Sequence, residues 1–152
     1  MSLKESKMAG AQHTEVFNCT PDEFYQLVTD YEKYPQFLSE VKECKVLKSE
    51  TNSKLVEYKV SVIKAITYQL RTQETQAQKV SWHFVAGDVF KSMSGSWTLA
   101  EEAGGSKTKA TYQVEGDFKI FVPGPVAKTL LNVNLPAMMA AYHKRIKEVY
   151  GK

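Results

Sequence analysis

The sequence predicts an α+β domain, and three observations predict it. A capped helix opens near residue 20, apolar and polar residues alternate with a period of two from Val41 to Lys119, and after Val122-Pro123-Gly124-Pro125 the period changes to 3.6 and holds to Tyr150. The predicted order is a strand, two short helices, about six further strands and a long helix. Strands and helices are thus segregated along the chain, as in α+β folds.

The first strand is expected over Ala11 to Asn18, after a loose tail of residues 1 to 10, so that the single domain runs from 11 to 152. Thr20 is placed to cap a helix with Pro21 at its first position and Glu23 completing a capping box, while Phe24, Leu27 and Val28 share one face. That helix should end near Asp30, because Tyr34 precedes Pro35 and is biased away from the α region. A short second helix is predicted around Gln36 to Ser39. Val56, Tyr58, Val60 and Val62 then alternate with Glu57 and Lys59, and Ile66, Tyr68 and Leu70 alternate with Gln69 and Arg71. Further strands are predicted at Lys79 to Val85, Phe90 to Ala100 and Lys107 to Lys119, separated by turns at Ala86-Gly87-Asp88 and Gly104-Gly105-Ser106. Alternation of this kind suits antiparallel strands with one face covered. The last helix supplies the cover: Leu131, Leu135, Met138, Tyr142, Ile146 and Val149 fall on one stripe, opposite His143, Lys144 and Lys147.

A chain of 152 residues that is 43% hydrophobic can bury one core. Its net charge of +3 is too small to argue for DNA binding, although it permits weak attraction to an anionic membrane or to RNA. Cys19 and Cys44 are the only cysteines and no apolar leader precedes them, so the expectation is a cytoplasmic protein with free thiols. No apolar run is long enough to span a bilayer.

Three segments resemble the START-like helix-grip superfamily, also called SRPBCC or polyketide cyclase-dehydrase and lipid transport, in its branch of coenzyme Q-binding proteins and the bacterial ribosome association toxin. They are DEFYQLVTDYEKYPQFLSEV (Asp22 to Val41), GDVFKSMSGSWTLAE (Gly87 to Glu101) and KRIKEVYGK (Lys144 to Lys152). The sequence departs from the pattern at Ser39-Glu40-Val41, at Gly87-Asp88-Val89 and at Pro136. The resemblance implies a curved sheet of six to seven strands wrapped around the C-terminal helix, with a deep hydrophobic cavity between them. It also implies a ligand such as a quinone, a polyketide-like aromatic or a lipid, bound without turnover. A kink or split of the helix at Pro136 would widen the cavity mouth.

The expected wall comprises Tyr34, Phe37 and Leu38 as a gate or plug, then Tyr58, Val60, Tyr68, Leu70, Trp82, Phe84, Met93, Trp97, Tyr112, Val114 and Phe118 from the sheet. Leu131, Asn134, Leu135, Met138 and Tyr142 complete it from the helix. Phenols and amides on an apolar face must find partners or lose stability, so Tyr58, Tyr68, Tyr112, Asn134 and Tyr142 either reach backbone and water or orient a ligand's polar head. The segment Phe121 to Val126 is either a plain connector or an apolar rim that rests on a membrane.

Catalytic chemistry finds little footing. His13, His83 and His143 fall on three different elements and do not converge, no nucleophile sits beside a base, and no metal-ligand spacing occurs. No cofactor is expected. Two other classes stay open: an aromatase/cyclase-type enzyme on the same fold, and a ribosome-associating protein using Lys144, Lys147 and Lys152.

Overall fold

The computed structural model describes residues 9–61, 64–130 and 135–152. The sequence expectations for Val62, Leu131 and Asn134 lie outside the described residues, as does most of the expected tail. Seven strands form one antiparallel sheet: β1 (Ala9–Phe17), β2 (Val41–Glu50), β3 (Ser53–Ser61), β4 (Ala65–Thr75), β5 (Lys79–Gly87), β6 (Phe90–Glu102) and β7 (Lys107–Phe118). Their order across the sheet is β1-β7-β6-β5-β4-β3-β2. Each neighbour beyond β1 follows the next in sequence by a hairpin. β1 begins two residues earlier than expected, because Ala9 and Gly10 already pair with Gly116 and Glu115.

Between β1 and β2 lies α1 (Pro21–Thr29). Its start follows from the predicted chemistry: Glu23 N donates to Thr20 Oγ1 at 3.1 Å, and Thr20 N donates to Glu23 Oε1 at 2.9 Å. The second helix differs from expectation. It is a 3₁₀ turn over Tyr31–Gln36 that contains Pro35, rather than a helix that follows it. Asp30 leaves α1 at φ −87° and ψ 67°, and i→i+3 bonds such as Lys33 N to Asp30 O take over at once, so the missing donor of Pro35 falls inside a short turn.

The C-terminal region is described as two helices, α2 (Gly124–Leu130) and α3 (Leu135–Tyr150). Pro125 occupies the second position of α2, where a backbone donor has no intrahelical partner to lose, and Pro136 is the second described residue of α3, so the expected kink or split before it lies outside the described residues. The buried stripe of α3 is Met138, Met139, Tyr142 and Ile146. Val149, expected inside, is exposed, and Tyr150 takes its place by donating its hydroxyl to Glu23 O at 3.0 Å.

Irregular pairing at Val41/Glu43, Val46/Lys48, Gln69/Leu70 and Phe90/Ser92 bends the sheet toward the helix. One close approach depends on glycine. Trp82 pairs across from Gly95, and a Cβ at Gly95 would lie 2.5 Å from the indole Cζ2. The indole therefore lies flat over β6 instead of standing away from it.

Candidate functional site

The concave face of the sheet, the 3₁₀ turn and α3 line a partly open cavity of about 80 Å³. On the same measure one water needs roughly 10–15 Å³, so the space suits a ring-sized body rather than an extended chain. Its wall is aromatic: Tyr31, Tyr34, Tyr58, Tyr68, Tyr112, Tyr142, Trp82 and Trp97. Alternation explains most of it, since Tyr58 and Val60 of β3, Tyr68, Leu70 and Thr72 of β4, and Val80 and Trp82 of β5 all point inward. Met93 and Trp97 of β6 and Tyr112 and Val114 of β7 continue the same face, with Leu38 below and Met138 above.

The expected residues Tyr34, Leu38, Tyr58, Val60, Tyr68, Leu70, Trp82, Met93, Trp97, Tyr112, Val114, Met138 and Tyr142 thus come together around one space. Four others do not reach it. Phe84 and Phe118 pack on Phe90, at ring centroid distances of 5.9 and 5.2 Å, and form a solid aromatic layer beside the cavity. Phe90 is fully buried there and fills the space that alternation assigns to an open pocket. Phe37 turns to the outer rim, 5.2 Å from Tyr142 and under the Arg145 guanidinium. Leu135 is half-buried and stands off the wall.

Sequence reasoning missed Tyr31, Glu40, Val41, Thr72, Val80 and Leu130 as wall residues. Thr72 simply continues the Ile66-Tyr68-Leu70 alternation. Tyr31 faces inward because the 3₁₀ turn begins before Pro35, and its hydroxyl donates to Glu74 Oε2. Lys54 holds the other oxygen of Glu74 at 2.9 Å.

The phenols are organised. Tyr34 donates to the carbonyl of Val28, the Tyr142 ring meets Trp97 edge-on at 5.4 Å, and Tyr58 stacks on Tyr68 at 5.4 Å. Burial pushes the Tyr34, Tyr58, Tyr68, Tyr112 and Tyr142 hydroxyls up, and at all but Tyr142 the neighbouring groups act in the same direction. At neutral pH they are hydrogen-bonding groups and not phenolate bases. Cys19 and Cys44 are buried and free, and burial raises both thiols to about 12, which removes thiolate chemistry.

The histidines need one correction. His13 and His143 do meet, on Glu15: their Nε2 atoms lie 2.8 Å from Oε1 and 2.7 Å from Oε2. His13 and Glu15 share one row of β1, and the His143 ring packs 4.6 Å from Phe17, so His143, exposed on the solvent side of α3 as expected, also makes a contact between strand and helix. Among the described residues no group of three His, Cys, Asp or Glu side chains has metal-holding geometry. The expected basic face is also smaller, because Lys152 is drawn to Glu23 at 2.9 Å while Lys144 and Lys147 stay exposed. No described helix is long and apolar enough to cross a membrane.

Comparison with known proteins agrees with this architecture. The chain is 28% identical over 153 residues to the ribosome association toxin RatA of Escherichia coli (strain K12), covering 98% of this chain and 94% of that protein. A START superfamily protein from Mycobacterium smegmatis superposes with a TM-score of 0.78 at 19% identity, covering 92% of this chain and 98% of the other. The Zhui aromatase/cyclase from Streptomyces sp. R1128 does so with a TM-score of 0.78 at 13% identity, covering 95% and 98%. The model of the family described as polyketide cyclase / dehydrase and lipid transport matches residues 18–142, and the chain belongs to that START-like family.

Proposed function

We propose that this protein binds a compact hydrophobic molecule in the cavity between sheet and α3, in the cytoplasm, and carries or presents it without turning it over. The observation that carries the reading is a partly open cavity whose wall is almost wholly aromatic and aliphatic, yet holds several phenols able to orient a polar head. The volume favours a quinone ring or another aromatic body over a long acyl chain. Burial at about 0.8 kcal/mol per methylene-sized group supplies the affinity. The alternative, aromatase/cyclase chemistry, is supported by the family's description and by the Zhui likeness, which at 13% identity speaks for the fold alone.

Native mass spectrometry of the purified protein should show a co-purified small molecule, and ligands that fit should raise the melting temperature. Met138, central on the buried stripe of α3, lines the cavity. Met138→Trp should fill the space: in a solid core this costs about 1–3 kcal/mol, whereas beside an empty cavity it costs little. A wild-type gain of about 2.7 kcal/mol at a hundredfold excess of ligand over Kd should vanish in this variant. A badly destabilised variant, together with a wild type that no hydrophobic ligand shifts, would sink the reading.

Two partner proposals accompany it. Exposed Ile120 and Phe121 support a weak contact with a membrane surface, and the likeness to RatA supports association with the ribosome through Lys144 and Lys147.

A further inference from the structure

The cavity wall contains one acidic group among the described residues, Glu40. It sits between the 3₁₀ turn and β2, at a position where its backbone is pinned on both sides: Ser61 N donates to Glu40 O at 3.0 Å, and Val41 N donates to Leu38 O at 3.1 Å. The side chain is half-buried, and among the described residues its carboxylate has no hydrogen-bond or ion-pair partner. Its charge reaches across to Tyr68, Tyr112 and Tyr142, where it adds to burial in keeping the phenols protonated.

These facts bear on what can enter. A phenol both donates and accepts, so the tyrosines serve either kind of polar head, whereas an ionised carboxylate only accepts. A ligand hydroxyl or N–H meets in Glu40 a charge-assisted acceptor. A ligand carboxylate meets like charge there. Resting on the reading that this cavity binds a compact apolar ligand, we infer that Glu40 is its specificity-determining residue. Its carboxylate accepts a hydrogen bond from a hydroxyl or N–H on the ligand's head and excludes ligands whose head is a carboxylate.

Calorimetric titration at pH 7 with 2-naphthol, 2-naphthoate and naphthalene tests this, since the three share one ring body. Wild type should prefer 2-naphthol to 2-naphthoate by at least about tenfold, equivalent to about 1.4 kcal/mol. Glu40→Gln keeps the shape and removes the charge, and should bring the two within about threefold while leaving naphthalene binding unchanged. Glu57→Gln, on the other face of β3, should behave as wild type. If 2-naphthoate binds wild type as well as 2-naphthol does, or if Glu40→Gln leaves the ratio intact, the assignment of Glu40 is wrong while the binding function stands. If none of the three binds and no small molecule co-purifies, the binding function itself fails, and the role of Glu40 with it.

Discussion

Glu15 shows how a single side chain ties distant parts of the chain together. It accepts from His13 on its own strand and from His143 on α3, with the Phe17 ring tilted against the second imidazole. The hydrogen bonds from the two histidines, His13 first, hold the Glu15 carboxyl below its usual range against the opposing effect of burial. A carboxylate whose folded pKa is depressed contributes stability that is present above its unfolded value, about 4.3 for Glu, and is lost as pH falls through the folded value. Glu15→Gln should therefore be less stable than wild type in urea at pH 7, and the gap should narrow as pH falls below about 4.3. A gap that stays constant down to pH 3 would show that the loss is one of shape or neutral hydrogen bonding, not of charge. Neither histidine's role is legible from its position in the sequence. A helical wheel puts His143 opposite the apolar stripe, and only the position of β1 at the sheet edge brings Glu15 within reach.

Among the elements, β3 to β7 were readable because alternation is a direct consequence of strand geometry, and α1 because its capping box satisfies backbone donors that the helix itself leaves open. What alternation does not report is depth. Phe84, Phe90 and Phe118 follow the same inward rule as Trp82 and Trp97, yet the first three close on one another while the last two border open space. Glu40 and Tyr31 escaped for a related reason: they lie in the 3₁₀ segment and the turn after it, where no period constrains direction. The pair of β5 and β6 offers a test of how the wall is shaped. Gly95 has no Cβ, and the Trp82 indole occupies that place. Gly95→Ala must lift the indole off β6 toward the cavity, with an overpacking cost of about 1–3 kcal/mol. We expect a lower urea midpoint together with a changed Trp82 fluorescence, read in a Trp97→Phe background. An unchanged midpoint and spectrum would mean that the indole has another resting place and that Gly95 is not needed to set the wall.

At the scale of the whole molecule, two surfaces remain after the cavity is accounted for. The connection after β7 carries Phe121, 88% exposed, and Ile120, 54% exposed, between the exposed lysines Lys119 and Lys128. Val122 and Val126 of the same segment turn back onto the core, so the protruding part is smaller than the sequence suggests. Burying one phenylalanine in a bilayer interface is worth about 2 kcal/mol, and each lysine near an anionic leaflet about 1 kcal/mol. Together with part of Ile120 these sum to about 5 kcal/mol, a contact with a Kd of roughly 0.2 mM. Phe121→Ser should weaken sedimentation with phosphatidylserine vesicles roughly thirtyfold at fixed salt. The basic surface of α3 behaves differently, because two exposed lysines give an affinity that is mostly counterion release and falls as salt rises. Co-sedimentation with ribosomal subunits should therefore weaken steadily between low and physiological salt and be insensitive to Phe121→Ser, while Lys144→Glu with Lys147→Glu should abolish it. Ribosome binding that survives high salt would point to a shape-specific interface elsewhere on the molecule, and vesicle binding indifferent to Phe121→Ser would remove the membrane from the account.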